Sequence, residues 1–293
     1  MITIDPKDIK IPALHALLLA AVAPRPISFA STIDKEGNVN LSPFSFFNVY
    51  SSNPPIMVFS SNRSGKTGET KDTYKNIKEV PEVVINIVSY DIVQQASLAS
   101  VAYPKGINEF IKAGLTMLPS ENVKPPRVAE SPVQFECKVN DIIELGDQGG
   151  AGNLFICEIL KMHIADHVMT EDGKIDPLKM DQVGRCGDNF YVRLTKDTLF
   201  EIVKPVATIG IGVDAIPSHI RNSKYLTGND LGMLGNVVAL PTEAEIDAFC
   251  KAASQQSLLQ LSTAQRHEAA HQLLQKEDIH NAWCLLLAPE NNQ

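Results

Sequence analysis

The chain has 293 residues, 44% hydrophobic and 20% charged. That is enough to bury a core without staples, and it excludes disorder over the whole length. Its 26 basic and 34 acidic residues give a net charge of −8 with no basic block, which excludes a general nucleic-acid binder but leaves room for a local phosphate pocket. Five cysteines, at 137, 157, 186, 250 and 284, form no CxxC pair, so a reducing cytoplasm fits better than a disulfide framework or a cysteine zinc site.

Residues 11–24 (IPALHALLLAAVAP) superficially resemble a signal peptide. Asp5 and Asp8 cancel Lys7 and Lys10, His15 interrupts the apolar run, and Pro24 leads into a strand-like segment. The run is also too short to span a bilayer, so the expectation is a short buried helix entering the domain. Arg25–Ile33 and Val39–Ser42 flank the turn signal Asp34-Lys35-Glu36-Gly37-Asn38 and read as a hairpin. Pro55–Ser61 and Val83–Ser89 read as buried strands, Glu69–Glu79 as a surface helix with Tyr74 and Ile77 on one face, and Asp91–Ala99 as a second helix. Residues 100–130, with four prolines, read as irregular. Val133–Leu145, Asn153–His163 and Phe190–Leu194 are further strands.

The character changes near Lys204. Pro205–Leu240 is glycine-rich and reads as turns, while Thr242…Glu245 and Ser262…Gln265 are capping boxes that open helices. Strands first and helices late predict a mainly β core, residues 1–204, and a C-terminal extension, residues 205–293, turn-rich and then helical.

Three short motifs compete for a function. Ser64-Gly65-Lys66-Thr67 ends like a P-loop, but Ser60 stands where the pattern needs glycine. Gly210–Ala215 spells GxGxxA, yet Pro217 denies it the helix that a dinucleotide fingerprint must open, leaving a strand that ends in a turn. His267-Glu268-Ala269-Ala270-His271 is a literal HExxH on a helix, the signature of a zinc hydrolase, but no third ligand follows at the usual spacing and a solvated helix face is the plainer reading. The richest cluster lies in 25–76. Five of the eleven phenylalanines fall between 29 and 59 among many serines, followed by Lys71-Asp72-Thr73. Composition alone leaves two readings open: a pocket for a flat aromatic ligand with a phosphate tail, or a Phe-rich barrel core with serines in its turns.

Residues Ala23–Asp34, Gly37, Asn40–Asn48 (NLSPFSFFN) and Asn53-Pro54-Pro55 resemble the flavin reductase-like family, and Lys71-Asp72-Thr73, Asn76-Ile77 and Gly184-Arg185 to Tyr191 extend the resemblance. It covers about residues 10–200 and implies an FMN-binding split β-barrel of Greek-key type with flanking helices, in a homodimer whose flavin lies near the subunit interface. The resemblance implies FMN contacts from Ser31 and Thr32 near the ribityl-phosphate, and from the loop Ser45-Phe46-Phe47-Asn48 at the isoalloxazine. It implies that Arg25 and Lys71 neutralise the phosphate, with Thr73 as hydroxyl partner. The activity it implies is reduction of flavin by NADH or NADPH through hydride transfer to N5, sometimes for a partner oxygenase, with no catalytic acid or base from the protein. His163 and His167 could approach the nicotinamide, though such histidines are more often on the surface. A non-catalytic FMN-binding or electron-carrier protein, its extension blocking nicotinamide access, is the alternative. No metal, nucleic acid or membrane enters the leading reading.

Overall fold

The computed structural model describes residues 1–202 and 208–289, in two compact units, Met1–Phe200 and Glu201–Gln293. The first unit is built on strands β1 (Ser28–Ile33), β2 (Val39–Phe44), β3 (Phe47–Ser52), β4 (Pro55–Asn62), β5 (Glu82–Ile87), β6 (Met117–Leu118), β7 (Arg127–Val128), β8 (Val133–Glu144), β9 (Gly152–Ile164), β10 (Val183–Gly187) and β11 (Phe190–Arg193). Around them lie helices α1 (Ile11–Ala21), α2 (Asp72–Glu79), α3 (Val93–Leu98), α4 (Glu109–Ala113) and α5 (Pro177–Met180).

Seven strands form one antiparallel sheet in the order β2-β1-β5-β8-β9-β4-β3, and β6-β7 and β10-β11 are separate hairpins. The two ends of that order, β2 and β3, are joined by the bend at Ser45-Phe46, so the sheet must curl back on itself. The Ser60 N–H donates to the Phe46 carbonyl at 2.8 Å, carrying the β3–β4 ladder into that bend. Inside the curl, the Phe59 ring packs on Phe44 at 5.3 Å and on Phe155 at 4.7 Å between centroids, with Ala30, Ile85 and Cys157 completing the core. On the other side of β1, Ile27, Phe29 and Leu41 pack against Val88, Ile92 and Phe110. Both faces of β1 are therefore covered, and all six of its residues are buried. Gly37, at φ +86°, sits in the β1–β2 turn where a side chain would be strained.

β2 is an edge strand. The Leu41 N–H, facing away from β1, donates to Glu109 Oε2 at 2.9 Å. Pro43 stands two residues on, where its missing N–H would face the same way, a position that tolerates proline.

Several expectations need correction. The helix at 11–24 forms, but none of its residues is buried, and Ile11, Leu17, Leu18 and Val22 are exposed. α2 begins at Asp72, later than the polar pattern suggested, with Lys71 as its extended N-cap residue. The region 100–130 holds α4 and the β6–β7 hairpin: Asn108 caps α4, and Gly114 ends it in the left-handed region.

The second unit is helical: α6 (Ser218–Arg221), α7 (Gly228–Gly235), α8 (Glu243–Lys251), α9 (Gln256–Leu259), α10 (Thr263–Leu274) and α11 (Ile279–Leu287). Both expected capping boxes form, at Thr242 with Glu245 and at Ser262 with Gln265, and a third, Thr227 with Asp230, opens α7 inside the stretch read as turns. The core centres on Trp283, whose indole N–H donates to the Leu234 carbonyl at 3.1 Å. The strand expected just ahead of Gly210 lies partly outside the described residues. Gly210 and Gly212 run beside the end of α7, where the Gly212 N–H donates to the Gly235 carbonyl at 2.9 Å and a Cβ on Gly210 would lie 2.5 Å from that oxygen. These glycines serve close backbone packing, and only the short turn Val213–Ala215 follows them.

Asp230 is fully buried. Its Oδ2 accepts from the Thr227 N–H and hydroxyl, at 2.6 and 2.7 Å, and from His271 Nδ1 at 2.8 Å. Burial alone would push its pKa up, but the Thr227 and His271 hydrogen bonds outweigh that and hold it below the ordinary aspartate value. A depressed folded pKa contributes stability that is full well above the ordinary aspartate pKa of about 4 and fades as pH falls through the lowered value. Asp230→Asn is therefore expected to lower stability by about 1–3 kcal/mol at neutral pH. The gap from wild type should narrow as pH falls through the lowered Asp230 pKa, as read from urea unfolding at a series of acidic pH values.

Candidate functional site

Two cavities lie along β2. The larger, about 510 Å³, is lined by Asn40, Ser42, Ser64, Lys71, Thr73 and Tyr103, among others. The smaller, about 220 Å³, is lined by Ile27, Pro43, Phe44, Ser45, Arg185 and Tyr191, among others. Both include Ser100, at the end of α3, so they adjoin. Asn40 to Ser45 spans five residue steps, about 16 Å of strand. The result is a trough with hydroxyls, two lysines and the carboxylates of Glu69, Asp72 and Glu109 at one end, and aromatic, apolar and guanidinium groups at the other.

The hydrogen bonds explain how the ammonium end is held. Asn76 Nδ2, on α2, donates to Thr32 Oγ1 at 3.2 Å, fixing α2 against β1. Asn40 Nδ2 donates to Thr73 Oγ1 at 2.9 Å, fixing the first turn of α2 against β2. Lys71, just before that turn, lies over the Phe44 ring at 5.5 Å and has no carboxylate partner among the described residues. The residue as a whole is exposed, yet crowding by protein atoms around its ammonium pushes its pKa down, with burial as the cause. The other lining lysine, Lys75, is paired with Asp72 at 3.0 Å. Glu109 is occupied by the Leu41 N–H, and burial pushes its carboxyl pKa up.

The structure thus brings together Lys71, Thr73 and Ser45 along one trough. It does not bring Arg25 to Lys71. The Arg25 guanidinium donates to the carbonyls of Leu19 and, at 2.6 Å, Val22 at the end of α1, and its Nε reaches Ser45 Oγ at 3.4 Å. Burial, then repulsion from Arg185, lowers its pKa. Arg25 therefore backs the opposite end of the trough. Ser31 and Thr32 line neither cavity, because β1 is covered on both faces; Thr32 positions α2 instead. The expected loop Ser45–Asn48 is a two-residue bend followed by β3. Phe47 packs into the core, Phe46 meets the His15 ring at 6.1 Å, and Asn48 accepts from the Val49 N–H at 2.8 Å. Asn40, Ser42, Arg185 and Tyr191 are lining residues that stood within recognised motifs without a role. Ser97 and Ser100 had no sequence signal.

The discarded motifs resolve in turn. The P-loop-like turn contributes Ser64 and Thr67 to the larger cavity, with Ser64 Oγ accepting from the Lys66 and Thr67 N–H groups at 3.3 and 3.2 Å. HExxH lies on α10, but its histidines serve separate partners: His267 Nδ1 meets Ser223 Oγ at 2.7 Å and His271 Nδ1 meets Asp230. His267 is buried rather than on a solvated face, and burial, then His219, lowers its pKa. Among the described residues no group of three His, Cys, Asp or Glu side chains could hold a metal ion. His163 Nε2 meets the buried Glu136 at 2.7 Å, away from both cavities, and His167 is exposed.

The family model described as "Flavin reductase like domain" matches residues 20–182. An uncharacterized protein of Aquifex aeolicus is 38% identical over 61% of this chain and 89% of its own length. Nitrilotriacetate monooxygenase component B of Bacillus cereus superposes with a TM-score of 0.64 at 30% identity, over 69% of this chain and 98% of that one. A split-barrel protein of Shewanella frigidimarina gives a TM-score of 0.58 at 26% identity, over 68% and 95%. The second unit lies outside the family match. With its curled antiparallel sheet and the match across more than half of its length, the chain belongs to the flavin reductase-like family, on a split-barrel domain.

Proposed function

We propose that this protein is an FMN-binding oxidoreductase in which NADH or NADPH reduces flavin by hydride transfer to N5. The observation that carries this reading is the trough along β2, with unpaired Lys71 at one end and Ser45, Tyr191 and Arg185 at the other. The residues present fit the cofactor. Lys71, Thr73 and the Ser64–Thr67 turn would hold a terminal phosphate, Ser42 and Ser100 would face the ribityl chain, and Pro43, Phe44 and Ser45 would bound the ring. One unpaired lysine suits the single phosphate of FMN better than the pyrophosphate of FAD. When bound, the flavin supplies the hydride acceptor, so the protein needs no nucleophile of its own. The chain's task is to align donor and ring and to keep bulk water from the reacting faces.

A homodimer is supported by the exposed apolar residues of α1 and of Val49 and Tyr50 on β3, which His15 and Phe46 bring side by side. The likeness to a monooxygenase component B supports an oxygenase as the recipient of reduced flavin. Five free cysteines support a reducing cytoplasm, and no helix among the described residues is long and apolar enough to cross a membrane. Steady-state oxidation of NADH and NADPH with free FMN, FAD or riboflavin as acceptor tests this reading. It predicts turnover with FMN ahead of riboflavin; no oxidation of either nucleotide with any flavin would contradict it.

A further inference from the structure

The ring end of the trough carries more positive charge than binding a neutral ring system requires. Arg25 and Arg185 are joined by two backbone hydrogen bonds, each 2.9 Å, so their side chains start from adjacent strands of chain. Repulsion between them contributes to the lowered pKa of Arg25. Arg25 is 5% exposed, and its Nη2 has no partner among the described residues. Arg185 lines the cavity, its guanidinium 4.7 Å from the centre of the Tyr191 ring and its Nη2 donating to the Asp188 carbonyl at 2.8 Å. No carboxylate among the described residues pairs with either arginine. Asp181, just before the same β10–β11 hairpin, is taken by Arg193 through two hydrogen bonds of 2.6 and 2.7 Å. Arg25 is a buried guanidinium with no counter-charge and Arg185 is a half-buried one beside it at the cavity wall, an arrangement that an anion in the cavity would complete.

On the reading of the preceding subsection, that anion has a natural source. An oxidised flavin ring is neutral. A hydride brings it two electrons and one proton and leaves one net negative charge, while the nicotinamide leaves oxidised. We propose that Arg185 is the residue that favours the reduced, negatively charged form of the bound flavin over the oxidised form, with Arg25 behind it holding Ser45 in place. A guanidinium stays charged at any pH the fold survives, and the Tyr191 face and the Asp188 carbonyl fix its plane before the charge arrives. Lys71, at the far end, meets a phosphate whose charge does not change on reduction, so it strengthens both forms equally.

The test compares full-length wild type, Arg185→Gln and Arg185→Lys. Oxidised FMN affinity is read from fluorescence quenching, and the midpoint potential of bound FMN from anaerobic spectroelectrochemical titration. Arg185→Gln is expected to weaken reduced FMN about tenfold relative to oxidised FMN, a fall in midpoint of about 30 mV for a two-electron couple. Oxidised FMN should change by less than about threefold, and Arg185→Lys, which keeps the charge, should recover most of the potential. Equal weakening of both forms, an unmoved potential, or a lysine variant as displaced as the glutamine variant would overturn the assignment. A wild type that binds neither form of FMN would instead overturn the flavin reading on which it rests.

Discussion

Replacing Lys71 with methionine is expected to weaken FMN binding by about 10- to 100-fold, the worth of a charge-assisted hydrogen bond to phosphate. Methionine preserves the packing of the stem over Phe44 while removing the charge. Riboflavin, which lacks the phosphate, should bind within about twofold of wild type, because its ring and ribityl contacts are untouched. The pH dependence has a definite sign. Crowding disfavours the charged ammonium, so Lys71 loses its proton below the usual lysine range. FMN affinity should therefore be full near neutrality and decline on the alkaline side, whereas riboflavin affinity should not follow that decline. Parallel fluorescence titrations of the two flavins check both statements. Equal losses for FMN and riboflavin would move the phosphate away from Lys71.

Phe59→Ala should produce the largest loss of stability in the first unit. Its ring is fully buried between Phe44 and Phe155 inside the curled sheet, at the point where β4 faces β2 across the barrel. Truncation removes a large apolar surface and leaves a cavity that paired strands on both sides cannot collapse into, a cost of about 3–5 kcal/mol. The damage should reach function as well, because the Phe44 ring packs against Phe59 and also lies under the Lys71 ammonium. Urea unfolding followed by circular dichroism should show the lowered midpoint. Flavin affinity measured where the variant is still folded should fall with it. A loss below about 1 kcal/mol would mean that the ring is not a keystone of this core.

Much of the first unit was legible in its residues. The β1–β2 hairpin announces itself by its turn, and β4, β5, β8 and β9 by β-branched and aromatic runs ending in polar or glycine-rich breaks. β3 escaped because it is an edge strand whose Asn48, Val49 and Tyr50 are exposed, so its apolar residues show no clean alternation. β10 escaped because Gly184 and Gly187 interrupt five residues. α4 carried its start signal, Asn108, and its stop signal, Gly114, around too short a core to be noticed. In the second unit the Thr-x-x-Glu and Ser-x-x-Gln boxes disclosed α8 and α10. Thr227-x-x-Asp230 did the same work for α7 with aspartate in the third position, among glycines that read as turns.

The site was legible in part, for a reason that particular residues make plain. Lys71-Asp72-Thr73 stands beside Asn40 and Ser42 only because Thr32 and Asn76 lock α2 to the sheet. Such a long-range contact leaves no local pattern. Ser31 and Thr32 belong to the same recognisable stretch, yet coverage of β1 on both faces buries them, a fact set by the apolar clusters on its two sides and by the packing of α2. Arg25 and Arg185 are 160 positions apart in the chain and become neighbours through a single bridge between β10 and the segment just ahead of β1. HExxH shows the reverse case. Its spacing is right for a metal, and the tertiary partners Ser223 and Asp230 decide against it.

The most direct measurement is the absorbance of the FMN-loaded, full-length protein between 300 and 550 nm under anaerobic conditions, before and after NADH and then NADPH. Hydride transfer within the trough along β2 predicts that the flavin band bleaches with at least one of the two nucleotides and returns on admission of air. A bound flavin whose band persists with both would contradict the reductase reading and leave a flavin carrier, and a protein that retains no flavin and oxidises neither nucleotide when free FMN is supplied would contradict the site itself.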